Sequence, residues 1–191
     1  TAIEALRNGV PNRKAVDILG SNQPNAETKF QHLLNAEMSE ENWINNPRSL
    51  LISGDFGTGK SHLLEYFKHL ALSENYICSM ISVSKETPFH KLGSVFKAAI
   101  DNGVVPNNVG QMINEISILL DVRSKEYVKF FHWANSQEAD IHPIFPASLA
   151  VHEHIDDPEM SSKMRNFWSG ERLFQADIKS GLRDIGQSHN Y

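Results

Sequence analysis

The stretch "SLLISGDFGTGKSHLLEYF", residues 49–67, has the most distinctive pattern in the chain. Its apolar start is typical of a buried β-strand, and a glycine-rich turn follows directly. After the turn, Leu63, Leu64 and Phe67 recur at the spacing of one helical face. The stretch therefore predicts a strand, a tight turn and a helix in that order.

Residues 54–61 within this stretch fit the phosphate-binding pattern G-x-x-x-x-G-K-[ST]. Its glycines allow the backbone to wrap closely around a polyphosphate, and N–H groups at a helix N-terminus attract anions. Lys60 is expected to contact the β- and γ-phosphates, and the Ser61 hydroxyl to ligate Mg²⁺. The predicted cofactor-binding residues are Gly54, Asp55, Phe56, Gly57, Thr58, Gly59, Lys60, Ser61 and His62, with Ser61 as the metal ligand.

The sequence favours ATP as the nucleotide. GTP-specific proteins usually carry an Asn-Lys-x-Asp motif that reads the base, and the chain contains none. The predicted cofactors are therefore ATP and Mg²⁺.

The segments around the loop predict an α/β fold. "YICSMISVS", residues 76–84, is typical of a second buried strand, and Thr87-Pro88 predicts the start of a following helix. Strand, helix, strand and helix in succession indicate a parallel sheet covered by helices. The inward residues of the second helix are expected to be Phe89, Leu92, Val95, Phe96, Ala99 and Ile100.

Beyond Asn102 the pattern is helical, at about 107–121, 124–136, 146–155, 158–168 and 171–185, without a convincing strand. The predicted fold is a P-loop NTPase of AAA+ type with a mainly helical C-terminal insertion. The expected divisions are an N-terminal helical segment at 1–48, a βαβα core at 49–104 and the insertion at 105–191. The N-terminal segment includes a helix begun by Pro24.

Composition narrows the class of protein. The 191 residues include 18 basic and 23 acidic side chains, a net charge of −5, which disfavours a dedicated nucleic-acid-binding domain but leaves DNA open as a partner. The single cysteine, Cys78, lies in an apolar segment, so we expect a small buried hydrophobe in a reducing compartment. No apolar run is long enough to span a bilayer, and no signal peptide is recognisable. A cytoplasmic location is expected.

Hydrolysis of ATP needs an acidic residue beside the loop, and the sequence offers weak candidates. Asp121 follows "ISILLDV", residues 116–122, but the preceding apolar residues have helical spacing, which favours a helix-end aspartate over a Mg²⁺ ligand. Asp156 and Asp157 precede Pro158, a pattern typical of helix capping. The catalytic residues therefore stay unassigned, and the acidic strand is expected downstream of the chain.

Two further groups of residues allow both a functional and a structural interpretation. His142, His152, His154 and Glu153 suggest a metal site, but positions two apart lie on different helical faces, which disfavours one. Five aromatic residues have helical spacings and are predicted to be core rather than a base-stacking platform. They are Phe130, Phe131, Trp133, Phe167 and Trp168.

Four segments together resemble a known family. They are "AIEALRNGVPNRKAVDILG" at 2–20, "GDFGTGKSHLLEYF" at 54–67, "ISVSKETPFHKLGSVFKAAI" at 81–100 and "NFWSGERLFQADIKSGL" at 166–182. The set resembles the ATP-binding proteins of bacterial BREX-type phage-defence systems, a P-loop family related to AAA+ and origin-recognition-like ATPases. The resemblance spans most of the chain.

The resemblance implies a longer protein of which this chain is the N-terminal portion. It also implies that Val10, Pro11 and Arg13 are candidates for an adenine-side contact, and that partners are other defence proteins or copies of the chain. Two alternatives stay open: an ATP-dependent adaptor or DNA loader without turnover, and a small P-loop phosphotransferase. The latter needs a basic lid, and Arg165 and Arg172 are interspersed with acidic residues.

Overall fold

The computed structural model describes residues 16, 18–36 and 49–187. The chain divides into two compact units, Thr1–Cys78 and Ser79–Tyr191. The sequence also predicts a short helix at 1–9, and these residues lie outside the described part of the chain. The predicted division at 48 and 104 stays a prediction.

The described part of the first unit includes the helices α1 (Pro24–Asn35) and α2 (Lys60–Ser73). The predicted helix begun by Pro24 is confirmed, because the fixed φ of proline suits the first turn. The rings of Phe30 on α1 and Phe67 on α2 stack in parallel, with centroids 4.3 Å apart and planes at 6°. This stacked pair joins the apolar faces of the two helices.

Polar contacts hold the same two helices together at both ends. The Tyr66 hydroxyl on α2 donates a hydrogen bond of 3.3 Å to Glu27 on α1. The hydroxyl of Tyr76, which follows α2, donates to the carbonyl oxygen of Leu34 near the end of α1. These contacts and the stacked rings give α1 one defined position on α2.

The second unit is mainly helical. Its helices are α3 (Leu92–Asp101), α4 (Met112–Leu119), α5 (Lys125–Ala134), α6 (Ile144–His154), α7 (Pro158–Trp168) and α8 (Gln175–Asp184), with a 3₁₀ turn at Gln137–Ala139. The core lies where α6 packs on α7 and α8. Val151, Met164 and Leu182 are at most 1% exposed there. Burying each such side chain contributes about 1.5–3 kcal/mol.

A buried hydrogen-bond chain joins α6 and α7. The indole N–H of Trp168 donates to the Ser148 hydroxyl at 2.8 Å, and that hydroxyl donates to the Phe145 carbonyl at 2.7 Å. Ser148 is completely buried, so an unbonded hydroxyl there would cost about 1–3 kcal/mol. These two hydrogen bonds therefore fix the position of the Trp168 ring against α6.

The helix starts in this unit follow their capping residues. The Ser124 hydroxyl accepts from the Tyr127 N–H at 3.0 Å, and Asp157 accepts from the Glu159 N–H at 2.9 Å. The predicted capping role of Asp157 before Pro158 is confirmed. The five helices predicted beyond residue 102 are all present, with ends shifted by a few residues.

The predicted parallel sheet is wrong. Among the described residues the strands are β1 (Cys78–Ser79) and β2 (Gly103–Val104), which pair with each other in a two-stranded sheet. Residues 49–53, predicted as the first strand, have no strand structure, and Leu51 is 92% exposed. An apolar, β-branched segment becomes a strand only where a neighbouring strand completes its hydrogen bonds. The described residues offer no such neighbour, because almost everything after β2 is helical.

The predicted helix start at Thr87-Pro88 is also wrong, because α3 begins at Leu92. The Ser84 hydroxyl accepts from the backbone N–H groups of Glu86 and Thr87, which closes a turn before the proline. A second turn follows, in which the Lys91 N–H donates to the Pro88 carbonyl at 2.9 Å. Phe89, Leu92 and Phe96, predicted to point inward, are exposed.

The aromatic residues of α5 are less buried than predicted. Phe130 is 45% exposed and Trp133 is 48% exposed, so neither is a core residue. Phe131, Phe167 and Trp168 are partly buried, as their helical spacing suggests. Tyr127 replaces Phe130 as the buried aromatic residue of this helix, because it lies on the same face as the buried Ala134.

The close contact between α6 and α8 predicts a large effect of one added methyl group. A Cβ at position 181 would lie 2.7 Å from Val151 Cγ1. Gly181→Ala should therefore lower the free energy of unfolding by about 1–3 kcal/mol, measured by urea denaturation. Gly93→Ala in α3 is the matched control, because a Cβ there meets nothing within 4 Å. It should leave stability unchanged or raise it by about 0.5–1 kcal/mol, and equal losses in both variants would contradict the packing described.

Candidate functional site

The glycine-rich loop that precedes α2 has a conformation that only glycine adopts freely. Gly57 and Gly59 have φ of +81° and +84°, in the left-handed region that costs other residues about 1–2 kcal/mol. At Gly54 a Cβ would lie 2.8 Å from the Thr58 hydroxyl. That hydroxyl donates to the Asp55 carbonyl at 2.9 Å and closes the loop on itself. Each glycine of the motif therefore has its own geometric reason.

The loop ends directly at the N-terminus of α2. The first hydrogen bond of the helical type runs from the Leu63 N–H to the Gly59 carbonyl, at 2.9 Å. The N–H groups of Lys60, Ser61 and His62 come before it and have no acceptor within the helix. Together with the helix dipole they form a region of positive potential that suits an anion.

The Lys60 side chain crosses the loop. Its Nζ donates to the carbonyl oxygen of Gly54 at 2.8 Å and to that of Asp55 at 2.6 Å. An ammonium group has three hydrogens, so one donor remains for a ligand after these two bonds. The lysine thus supports the loop and carries its positive charge beside the free N–H groups.

A cleft of about 480 Å³ borders the loop, within the range typical of small-molecule sites. Among the described residues, the charged side chains that line it are Lys29 of α1 and Lys60 of α2, and no carboxylate does so. The cleft is therefore suited to an anionic ligand. Its described lining residues are Gln23, Asn25, Ala26, Lys29, Leu50, Leu51, Ile52, Ser53, Gly54, Thr58, Gly59, Lys60 and Leu63.

A match to a known protein family covers the part of the chain that contains this loop. Residues 1–110, more than half of the chain, match the family described as "BREX system ATP-binding protein BrxC/D". The chain belongs to this family. The matched residues include the glycine-rich loop and the cleft beside it. No curated protein matches the chain, and no solved structure does.

The other loop residues differ in what their side chains do. Phe56 is fully exposed, so its side chain supports nothing in the loop. The Nε2 atom of His62 lies 2.8 Å from the Gly20 carbonyl, and since a carbonyl only accepts, this nitrogen carries the hydrogen. The sequence gives no sign of this long-range bond. His62 can therefore face a ligand only with its backbone.

The bond from His62 holds a turn that precedes α1. Gly20 has φ of +61°, and its N–H donates to the Val16 carbonyl at 2.9 Å. Val16 is 1% exposed, so this turn is anchored in the first unit. Val10, Pro11 and Arg13, the candidates for an adenine-side contact, lie outside the described residues.

The acidic and histidine candidates have local structural roles. Asp121 follows α4, and its carboxylate accepts from the Arg123 N–H at 3.0 Å, which confirms the helix-end interpretation. The ring of His142 accepts from the Ile144 N–H at 3.2 Å, and Glu153 accepts from the Tyr127 hydroxyl at 3.1 Å. Across residues 16, 18–36 and 49–187, no three His, Cys, Asp or Glu side chains form a group that could hold a metal ion.

No helix within the described ranges has the length and apolar character needed to cross a bilayer.

Cys78, predicted to be buried, is half-buried at the end of the first unit. Burial raises the pKa of its thiol, which disfavours the reactive thiolate at neutral pH.

His152 is the best-packed of the histidines considered. Its ring meets the Trp168 ring edge-on at 4.9 Å, and Nδ1 lies 2.8 Å from the Ser161 hydroxyl. Burial, assisted by the nearby positive charge of Arg165, lowers the pKa of His152. This environment favours the neutral imidazole, and it explains the side chain without a metal ion.

The lowered pKa of His152 predicts a loss of stability in mild acid. In the unfolded chain the imidazole of His152 takes up a proton at about pH 6.5, whereas in the folded chain it does so at lower pH. The free energy of unfolding should therefore fall as pH drops from about 7 through the folded pKa. In His152→Gln the fall between about pH 7 and 5.5, measured by urea denaturation, should be smaller than in the original chain. His154→Gln, an exposed position on the same helix, should keep the full fall, and identical profiles for all three proteins would contradict this assignment.

Proposed function

We propose that the chain binds ATP at residues 54–62 and in the adjoining cleft. The single observation that carries the proposal is the loop itself: left-handed Gly57 and Gly59 lead into α2, and the Lys60 ammonium group donates back to the carbonyl oxygens at the start of the loop. Membership of a family described as ATP-binding supports the choice of nucleotide. The described residues that line the cleft include two lysines and no carboxylate, which supports a polyanionic ligand.

The proposed roles follow from the donors available. The backbone N–H groups of 60–62 bind phosphate oxygens, because the first turn of α2 leaves them without helical acceptors. Lys60 places its remaining ammonium hydrogen on the β- and γ-phosphates, while its other two hold the loop carbonyls. The residues Gly54 and Thr58 keep the loop in its binding shape.

Ser61 is the residue that would hold Mg²⁺. Its side chain is exposed, and its hydroxyl makes no hydrogen bond with any residue in the described part of the chain, so it is available as an oxygen ligand. Mg²⁺ supplies charge neutralisation between the β- and γ-phosphates when bound. A single hydroxyl suits this ion, which keeps several waters and takes few protein ligands.

We further propose that the chain serves as the nucleotide-binding part of a BREX-system ATPase, with other system components or further copies as partners. The match of residues 1–110 to the BREX family supports this placement. Turnover requires a carboxylate that orients water and holds the metal ion. The described residues lining the cleft include none, and this favours a chain that binds ATP without hydrolysing it.

Removing the Lys60 ammonium should abolish measurable ATP binding. Lys60→Ala loses the loop support and the phosphate charge together, so we expect at least a hundredfold weaker Kd by isothermal titration calorimetry. Lys68→Ala, on the same helix but paired with Glu65, is the matched control and should bind normally. Equal ATP affinity in the original chain and Lys60→Ala would refute the assignment of the site.

The chain should show negligible steady-state ATPase activity in a phosphate-release assay with Mg²⁺. Asp121 holds the Arg123 N–H after α4, so Asp121→Asn should leave this low rate unchanged. A substantial rate that disappears in Asp121→Asn would instead identify Asp121 as the metal-binding carboxylate. The Lys60→Ala variant, which should not bind ATP, gives the background rate of phosphate release in this assay.

The lack of a carboxylate among the described residues that line the cleft also favours a second function, in which ATP controls partner binding without turnover. Association with other BREX components should then depend on ATP and be equally strong with a non-hydrolysable analogue. Analytical ultracentrifugation with and without each nucleotide measures this, including self-association. Association that requires hydrolysis would contradict the second function.

A further inference from the structure

A lysine outside the glycine-rich loop shares the cleft with it. Lys29 lies on α1, and with Lys60 it supplies the charged side chains that line this cleft. The sequence does not single it out, because only the packing of α1 on α2 brings it beside the loop. We propose that Lys29 is a second phosphate-binding cation and that the adjacent face of α1 forms the second wall of the nucleotide site. This inference rests on the proposed function.

Within the described residues, the Lys29 ammonium has no hydrogen-bond or ion-pair partner. Its helical neighbours three and four positions away are Ala26, Asn25, His32 and Leu33, none of them acidic. Lys29 therefore cannot form an ion pair with an acidic residue on its own helix. A cation in a cleft whose described lining residues include no carboxylate is suited to an anionic ligand.

The acidic residue of α1 is already engaged elsewhere. Glu27 accepts the hydrogen bond from Tyr66 on the side of α1 that faces α2, and it does not line the cleft. The stacked Phe30 and Phe67 lie on that side as well. The negative charge of Glu27 therefore lies against α2, whereas the positive charge of Lys29 lies at the cleft.

The α1 wall is held in place before a ligand arrives. Glu27 and Phe30 attach it to α2, and α2 begins at the loop, so the wall and the loop share one support. Binding then costs little conformational entropy, because neither wall of the cleft has to become ordered when the ligand binds. Ala26 and Leu63 also line the cleft and add apolar surface, which suits the nucleoside part of ATP.

Two kinds of variant test the wall. Lys29→Ala should weaken ATP binding about five- to twentyfold by calorimetry, the size of one charge contact at a solvent-accessible site. The loss for AMP should be smaller and that for adenosine absent, and Lys29→Arg should restore most of the ATP affinity. The dependence of log Kd on log salt should also become shallower in Lys29→Ala.

The second variant fills the cleft without a change of charge. Ala26→Phe should weaken ATP binding at least tenfold, because the ring would occupy space between α1 and the loop. Gln31→Phe is the matched control, since it adds the same ring to an exposed part of α1 that does not line the cleft. It should bind ATP normally, and circular dichroism should show the same helix content in both variants.

The outcomes separate this inference from the proposed function. Normal ATP binding by Lys29→Ala and Ala26→Phe, with binding lost in Lys60→Ala, would overturn the α1 wall and leave the loop assignment intact. Equal losses for ATP, AMP and adenosine in Lys29→Ala would also overturn it, since the lysine would then not contact phosphate. Normal binding in Lys60→Ala would refute the proposed function itself.

Discussion

The left-handed backbone at Gly59 is the constraint on which the first unit depends. It turns the chain so that α2 begins at Lys60, with three free N–H groups at its start. The same turn places the Lys60 side chain across the carbonyls of Gly54 and Asp55. A residue with a Cβ at this position would strain the turn. The conformation of Gly59 therefore determines both where α2 begins and where the Lys60 charge lies.

The helices could be predicted from the sequence largely because their signals are local. Pro24 and the Asp157-Pro158 pair mark helix starts through the conformation and hydrogen bonds of a few adjacent residues. The glycine-rich motif likewise predicted the loop before α2, since its positive φ values are a local property of glycine. Such features depend little on what the rest of the chain does.

The sheet could not be predicted in the same way. Residues 49–53 have the composition of a strand, yet strand structure needs hydrogen bonds from a second segment, and sequence composition does not show whether that segment is present. The exposure of Trp133 shows the same limit for helices. Helical spacing puts it near the aromatic residues of α5, but which face of that helix meets α6 depends on distant residues such as Glu153, which bonds Tyr127. Lys29 reaches its cleft through packing of this long-range kind.

The hydrogen bonds of Lys60 to the loop carbonyls have a kinetic consequence. Because the lysine and Thr58 already hold the loop closed, ligand entry requires no folding of the backbone and only the release of water from the N–H groups. Association should then proceed at a rate set by diffusion and by the positive charge of the cleft rather than by a slow structural change. Changes to the ligand's phosphate groups would accordingly act mainly on its residence time, and on the rate of capture only through the ligand's net charge.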